Sequence, residues 1–130
     1  MTIVVDASVI LALLLNEDAD GDWVTRTLQS QQLVAPHHMS VEVVSALRRG
    51  VASGRVGPAT GRLALAELLT IRVDLAPFAP FASRVWELRD AVSAYDAWYV
   101  AVAKLLDAPL VTLDRRLASA PGPRCRFVTP

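Results

Sequence analysis

The stretch TIVVDASVILALLL, residues 2–15, decides the fold. Its first part, Thr2–Val5, is a short β-branched run typical of a buried strand, and Ala7–Leu15 is an apolar segment long enough for a helix. Asp6 stands between the two. A strand that passes into a helix through one polar residue indicates the first unit of an α/β fold.

The alternation of strands and helices continues along the chain. The pattern predicts helices over Asp18–Gln31, Ser40–Ala52, Ala59–Thr70, Pro80–Val92 and Ala94–Leu106, and strands over Leu33–Pro36, Arg72–Leu75, Leu110–Leu113 and Phe127–Thr129. Such alternation predicts an α/β sandwich with a mostly parallel sheet. In sheets of this kind, ligands lie beyond the carboxyl ends of the strands.

Length and composition fit one domain and exclude one class of protein. With 130 residues and 53% hydrophobic content, the chain is predicted to fold as a single domain, residues 1–130. Its 13 basic and 13 acidic residues argue against a polybasic binder. They leave open a nucleic-acid enzyme that works through a local site.

Cysteine content and the amino-terminal residues predict a location. Cys125 is the only cysteine, so no internal disulfide can form, which favours a reducing cytoplasm. Residues 1–6 lead into a strand without a basic segment or a cleavage site. The apolar run Val9–Leu15 is too short to span a bilayer. We therefore expect a soluble cytoplasmic protein without a membrane partner.

Four carboxylates stand out by their positions. Asp6 follows the first predicted strand and Asp114 follows the strand Leu110–Leu113, so both are expected at the same edge of a parallel sheet. Glu42 and Asp96 fall in the first turns of their predicted helices, where each can lean toward that edge. The sequence thus predicts four acidic side chains in one place.

Each carboxylate also has a purely structural explanation. Asp6 and Asp114 precede helical segments whose free N–H groups an aspartate caps. Ser93-Ala94-Tyr95-Asp96 matches the S-x-x-D capping pattern, and Glu42 is also explained as an N-terminal acid on a solvated face. Taken one at a time, these explanations suffice.

The combination of the four points to a metal site. Carboxylates that share a pocket repel one another and raise their pKa values unless a cation neutralises them. Carboxylate oxygens suit Mg²⁺ or Mn²⁺, and no zinc-binding motif is present. The pair His37-His38 is predicted to form a turn before a helix rather than a metal site, because adjacent residues on an extended chain point to opposite sides.

At this point the sequence resembles a known family, the PIN domain and especially the VapC toxins. Four segments match its motifs in the right order, and Val102, where leucine is usual, is a conservative departure. The segments are Ile3–Val9, Pro36 with Glu42 and Ala46–Arg49, Ala94–Ala103, and Leu110–Leu117.

The resemblance implies a three-layer α/β/α fold and an Mg²⁺- or Mn²⁺-dependent endoribonuclease, the toxin of a toxin–antitoxin pair, whose products carry 5′-phosphate and 3′-hydroxyl ends. By position, Asp6, Asp96 and Asp114 would hold metal, and Glu42 would bind metal or orient the attacking water. Ser8 and Thr112 would be supporting hydroxyls; Thr112 shares a strand face with Asp114 if that strand persists.

The resemblance also implies partners. The RNA substrate needs cationic contacts, and basic residues near the acidic motifs are candidates because guanidinium groups suit phosphate. As solvated surface charges they would need no function. They are Arg48, Arg49 and Arg55 after the Glu42 motif, and Arg115 and Arg116 after Asp114.

A protein partner is implied as well. The family has a cognate VapB-like antitoxin whose C-terminal segment lies in an apolar groove, and its toxins form homodimers in a prokaryotic cytoplasm. The strongly apolar helix Ala7–Leu15, followed by Trp23, Val24 and Leu28, is either ordinary core or part of such a groove.

Four other functions remain open on the sequence. A haloacid-dehalogenase-like phosphatase needs D-x-D after the first strand, whereas Asp6-Ala7-Ser8 lacks the second carboxylate. A receiver domain needs a late lysine, whereas the only lysine, Lys104, lies inside a predicted helix. A non-catalytic PIN-like module would not need all four carboxylates. A PIN nuclease of RNA maturation or DNA-flap processing would be expected to carry an accessory domain.

Overall fold

The computed structural model describes residues 1–130 and contains one five-stranded sheet flanked by helices. The strands are β1 (Thr2–Val5), β2 (Gln32–Pro36), β3 (Asp74–Ala76), β4 (Leu110–Val111) and β5 (Phe127–Val128). The helices are α1 (Ala7–Leu15), α2 (Ala19–Leu28), α3 (Met39–Ala52), α4 (Pro58–Leu68), α5 (Ala82–Glu87), α6 (Ala94–Leu106) and α7 (Arg115–Ser119), and a 3₁₀ turn at Ala79–Phe81 precedes α5.

The sheet has the order β3-β2-β1-β4-β5, and every pair of neighbouring strands is parallel. From β1 the chain moves outward to β3 on one side, then returns to β4 on the other. Because crossovers between parallel strands are right-handed, this reversal places helices on both faces of the sheet. The predicted three-layer α/β/α sandwich is confirmed, and the mostly parallel sheet is wholly parallel.

The reversal of strand order occurs between β1 and β4. Val5 pairs with Val111, so Asp6 and Thr112 follow directly from paired positions at the carboxyl ends of the two strands. Such switch points open a crevice where parallel sheets bind ligands. The fold therefore brings the first and the last acidic motif together.

The core explains why these segments hold their places. Val4, Val5, Val9 and Ile10 are fully buried, and α6 contributes a continuous buried stretch from Tyr99 to Ala103 against β1, β2 and β4. No helix is both long enough and apolar enough to cross a membrane.

Most predicted bounds are off by a few residues at one end or both, and two of these differences show what sets an element's limits. The helix predicted over Pro80–Val92 ends at Glu87, because Leu88 turns inward, is 3% exposed and closes the last turn with its own N–H. The strand predicted over Arg72–Leu75 is shifted to Asp74–Ala76, where it pairs with Val34–Pro36. Packing against neighbouring elements sets both boundaries.

Candidate active site

Asp6 is the buried centre of the predicted site. Its side chain is 6% exposed and accepts three hydrogen bonds: from Ser8 Oγ at 2.5 Å, from the Val9 N–H at 3.1 Å, and from the Thr112 hydroxyl. Burial raises the pKa of Asp6 above its ordinary value, and the three hydrogen bonds oppose that rise. The protein thus holds this carboxylate firmly where its charge is costly.

Thr112 connects Asp6 to Asp114. Its hydroxyl donates to Asp6 and accepts from the Asp114 N–H at 2.9 Å, and the side chain is fully buried. Ser8 makes a second connection, since its Oγ also accepts from the Leu113 N–H at 3.1 Å. β4 ends at Val111, so the side-chain hydrogen bonds of Thr112, and not a continuing strand, connect it to both aspartates.

Glu42 lies in the first turn of α3 and is held by two other side chains. Its Oε1 accepts from the Tyr99 hydroxyl at 2.8 Å and lies 3.0 Å from Nε2 of His38. Burial acts to raise the pKa of Glu42, but the hydrogen bonds from His38 and Tyr99 outweigh it and leave the pKa below its ordinary value. Glu42 is therefore ionised at neutral pH.

Asp96 lies in the first turn of α6 and links the four carboxylates electrostatically. Its pKa is raised, first by burial and then by repulsion from Asp114 and from Glu42. The charge of Asp96 in turn contributes to the raised pKa of Asp6. We call Asp6, Glu42, Asp96 and Asp114 the acidic site.

The structural roles considered for these residues are also present. Asp6 caps α1 through the Val9 N–H, and Asp114 caps α7 through the N–H groups of Arg116 and Leu117. In the capping pattern at α6, Ser93 Oγ accepts from the Asp96 N–H at 3.2 Å. Capping therefore fixes the backbone beside the acidic site and does not compete with it.

The donor set of the acidic site fits a hard divalent cation. It offers only carboxylate oxygens, and the repulsion that raises the pKa of Asp96 is what a bound cation would relieve. No three His, Cys, Asp or Glu side chains lie close enough together to form a ligand cluster. Binding an ion therefore requires adjustment of side chains, which the half-buried Asp96 can make.

The structure separates the arginines that the sequence grouped. Arg116 lines a cavity of about 240 Å³ with Asp96 and Asp114. Arg115 is exposed and donates to the carbonyl of Pro130 at 2.9 Å. The other candidates lie elsewhere: Arg48 on the groove between α3 and α4, Arg49 hydrogen-bonded to Ser45, and Arg55 in a pocket with Ser8 and Asp18.

The apolar first helices are covered by the chain itself. α1 packs against α2, α3 and α4, and its leucines are at least half buried. A cavity of about 500 Å³ between α3 and α4 is lined in part by Val44 and Leu65, and five exposed apolar residues lie on these two helices or directly after α4. We call them the α3–α4 apolar surface; they are Val41, Val44, Leu63, Leu65 and Leu69.

Two residues beside the acidic site were not predicted from the sequence. Tyr99 lies one turn after Asp96 on α6, so helical spacing places it on the same face as Asp96, whereas its contact with Glu42 depends on how α3 and α6 pack. His38 forms the predicted turn before α3, but its ring packs inward and only the tertiary structure shows its contacts.

Comparison with known proteins gives a consistent result over nearly the whole chain. The profile of the PIN domain matches residues 3–123. Ribonuclease VapC9 of Mycobacterium tuberculosis is 42% identical over 123 residues, which cover 95% of this chain and 94% of the relative.

Solved structures show the same fold. VapC20 of Mycobacterium tuberculosis, a sarcin–ricin loop cleaving toxin, superposes with a TM-score of 0.69 at 23% identity, covering 90% of this chain and 93% of its own. VapBC2 from Rickettsia felis, bound to a DNA fragment from its promoter, superposes with a TM-score of 0.71 at 13% identity, covering 100% and 99%.

Proposed function

The chain belongs to the VapC ribonucleases of the PIN domain family, and we propose that its acidic site hydrolyses RNA as the toxin of a toxin–antitoxin pair. The observation that carries this proposal is the buried carboxylate of Asp6, held by Ser8 and Thr112 and repelled by Asp96. Burying a charge costs free energy that a neutral side chain would avoid. Such an arrangement is typical of a functional site.

Ribonucleases of this family depend in general on divalent metal ions, and we propose that Mg²⁺ or Mn²⁺ is held by Asp6, Asp96 and Asp114. When bound, such an ion lowers the pKa of a water molecule and offsets charge on the scissile phosphate. Asp6 supplies an oxygen of fixed position, because Ser8 and Thr112 orient its carboxylate. Asp96 and Asp114 bring oxygens from two other segments; Oδ1 of Asp114 is held by the N–H groups of Arg116 and Leu117.

Glu42 is proposed to take part in the same site, as a ligand or as the group that orients the attacking water. Its Oε1 is occupied by Tyr99 and His38, whereas its Oε2 accepts no hydrogen bond from the protein. The lowered pKa keeps this carboxylate ionised, so Oε2 can accept a hydrogen bond from the attacking water and orient it.

RNA is proposed to approach over the cationic side chains next to the acidic site. Arg116 is the strongest candidate, because it lines a cavity with Asp96 and Asp114. Arg115 is adjacent to Arg116, but its guanidinium donates to the carbonyl of Pro130. Arg48 and Arg49 lie on α3, more than one helical turn after Glu42. Phosphate contacts of this kind need no excess of positive charge over the whole protein.

The protein partner is proposed to be a VapB-like antitoxin. The exposed side chains of the α3–α4 apolar surface would contact an apolar segment of the antitoxin. Val41 directly precedes Glu42 in the first turn of α3, so a segment lying along α3 would reach the acidic site. A basic side chain there would neutralise the carboxylates. We further propose that residues 1–130 act as one domain, in the cytoplasm and as a homodimer.

Controlled expression and purified protein test this function together. Induction of the wild type should arrest growth, and co-expression of the antitoxin should relieve it. In vitro, RNA cleavage should need Mg²⁺ or Mn²⁺ and should fall in Asp6→Asn and Asp96→Asn by more than the ~10–100-fold typical of groups that only support metal ligands. Asp22→Asn, an exposed position on α2, is the matched control. Cleavage that survives chelation of all divalent metal would overturn the proposal.

A further inference from the structure

The ring of His38 is packed between α3 and α6, next to the acidic site. It stacks on Trp98 with ring centroids 4.7 Å apart and planes 9° apart, and it lies 4.8 Å from the ring of Tyr99. The side chain is 13% exposed. His38 also precedes α3 without capping it, so its side chain is not needed to start the helix.

One nitrogen of this ring reaches two helices at once. Nε2 lies 3.0 Å from Oε1 of Glu42 on α3 and 3.1 Å from the carbonyl oxygen of Tyr95 on α6. The carbonyl can only accept a hydrogen bond, so Nε2 must carry the proton. Nδ1 is buried without a partner, which favours leaving it unprotonated, because a buried unpaired donor is costly.

The two helices that Nε2 joins carry the two helical carboxylates of the acidic site. Glu42 is the direct partner, and Tyr95 immediately precedes Asp96 in the first turn of α6. Tyr99 donates to the same Oε1, so two donors fix one oxygen of Glu42 and leave Oε2 available.

We propose that His38 is a positioning residue for RNA cleavage, which orients Glu42 and holds the first turn of α6 through a shared Nε2–H hydrogen bond. The inference rests on the proposed function of the acidic site. Residues that orient a metal ligand or a catalytic carboxylate from behind typically contribute ~10–100-fold to metal affinity or activity. His38 touches neither RNA nor a reacting atom in this arrangement.

Substitutions at His38 separate hydrogen bonding from packing. His38→Phe keeps an aromatic ring against Trp98 and removes the donor, whereas His38→Gln restores an N–H of similar reach. We expect His38→Phe to lower kcat or weaken Mn²⁺ binding, measured by calorimetry, by ~10–100-fold, with KM for RNA little changed. His38→Gln should recover most of that loss. His37→Phe, at the exposed neighbouring position, is the matched control.

A double variant shows whether His38 acts through Glu42. In a Glu42→Gln background, adding His38→Phe should cause little further loss, because residues that act as a unit are not additive. If His38→Phe does not fold, His38→Gln and His38→Asn give the same comparison, since the shorter amide cannot reach Glu42.

The outcomes distinguish this inference from the proposed function. Wild-type values of both kcat and Mn²⁺ affinity in His38→Phe, or a loss that His38→Gln does not recover, would overturn the positioning role while leaving the ribonuclease proposal in place. A wild-type protein that neither binds Mn²⁺ nor cleaves RNA would overturn both.

Discussion

The acidic site has two halves that differ in how they are held. In the strand half, Asp6 is buried and its carboxylate is fixed by Ser8, Val9 and Thr112 at the ends of β1 and β4. In the helical half, Glu42 and Asp96 are half-buried, and Asp96 is repelled by its neighbours. The fixed carboxylate of Asp6 beside the less constrained carboxylate of Asp96 suits a site that must bind an ion and keep contact with RNA as the reaction proceeds.

Among substitutions that leave all four carboxylates in place, we expect the largest loss of stability and RNA cleavage from removing the hydrogen bonds of the strand half. Thr112→Val keeps the shape but removes the hydroxyl that donates to Asp6 and accepts from the Asp114 N–H. Each buried group left unpaired costs about 1–3 kcal/mol, and cleavage should fall ~10–100-fold. Denaturant unfolding and RNA cleavage rates measure the two effects.

Ser8→Ala and Thr112→Ser provide the comparison for that substitution. Ser8 donates to the same carboxylate but is half-buried, so water can replace its hydroxyl and a smaller loss is expected. Thr112→Ser should retain most activity. If Thr112→Val were as stable and active as the wild type, the strand half would not be rigid in the sense described.

A second, smaller effect is expected for Asp6→Asn, which should stabilise the folded protein at neutral pH, whereas Thr112→Val destabilises it. Because burial raises the pKa of Asp6 above 3.8, the folded state releases this proton at a higher pH than the unfolded chain does. Ionisation therefore removes stability as the pH rises from about 3.8 through the folded-state pKa, and the loss persists at neutral pH. Asp6→Asn should avoid this loss and raise the melting temperature at pH 7 by a few degrees.

The pH dependence of the melting temperature tests whether the cost of burying the Asp6 charge is the cause. The advantage of Asp6→Asn should shrink as the pH is lowered through the raised folded-state pKa of Asp6, because the wild-type carboxyl becomes protonated over that range. Thermal unfolding of both proteins between pH 4 and pH 7, without added metal, measures the difference. A lower melting temperature for Asp6→Asn at pH 7 would mean that its hydrogen bonds outweigh the cost of burying the charge.

The smallest effect is expected on the salt dependence of RNA binding, from replacing Arg116, whose side chain lines a cavity with Asp96 and Asp114. Arg116→Gln should reduce the slope of log binding constant against log salt by ~0.7, the value for one phosphate contact on single-stranded RNA. Arg115→Gln should change the slope less, because Arg115 is bonded to Pro130. Arg72→Gln, beside the amino end of β3, is the control; equal slopes in all three variants would remove Arg116 from the RNA path.

The strand half could be predicted well from the sequence. The bounds of β1 and α1 are as predicted, because the β-branched run, Asp6 and the apolar helix follow one another without interruption. The strand face expected for Thr112 and Asp114 depended on the strand continuing, whereas β4 stops at Val111; the Thr112 hydroxyl instead donates to Asp6 and accepts from the Asp114 N–H.

The helical half was less accessible to sequence reasoning. The positions of Glu42 and Asp96 in the first turns of α3 and α6 follow from local patterns. The contact of His38 with both helices depends on how those helices pack, which no local pattern specifies. The same holds for the α3–α4 apolar surface, since the sequence directs attention to the more apolar α1, which the chain itself covers.

The pairing of β1 with β4 also bears on when during translation the enzyme becomes competent. Asp6 is synthesised 106 residues before Thr112, its partner in the strand half. One edge of β1 can pair early with β2, whereas the other stays open until β4 has been made. A nascent chain on the ribosome thus lacks both Thr112 and Asp114 until β4 and the residues after it have been made, and the acidic site cannot form before then.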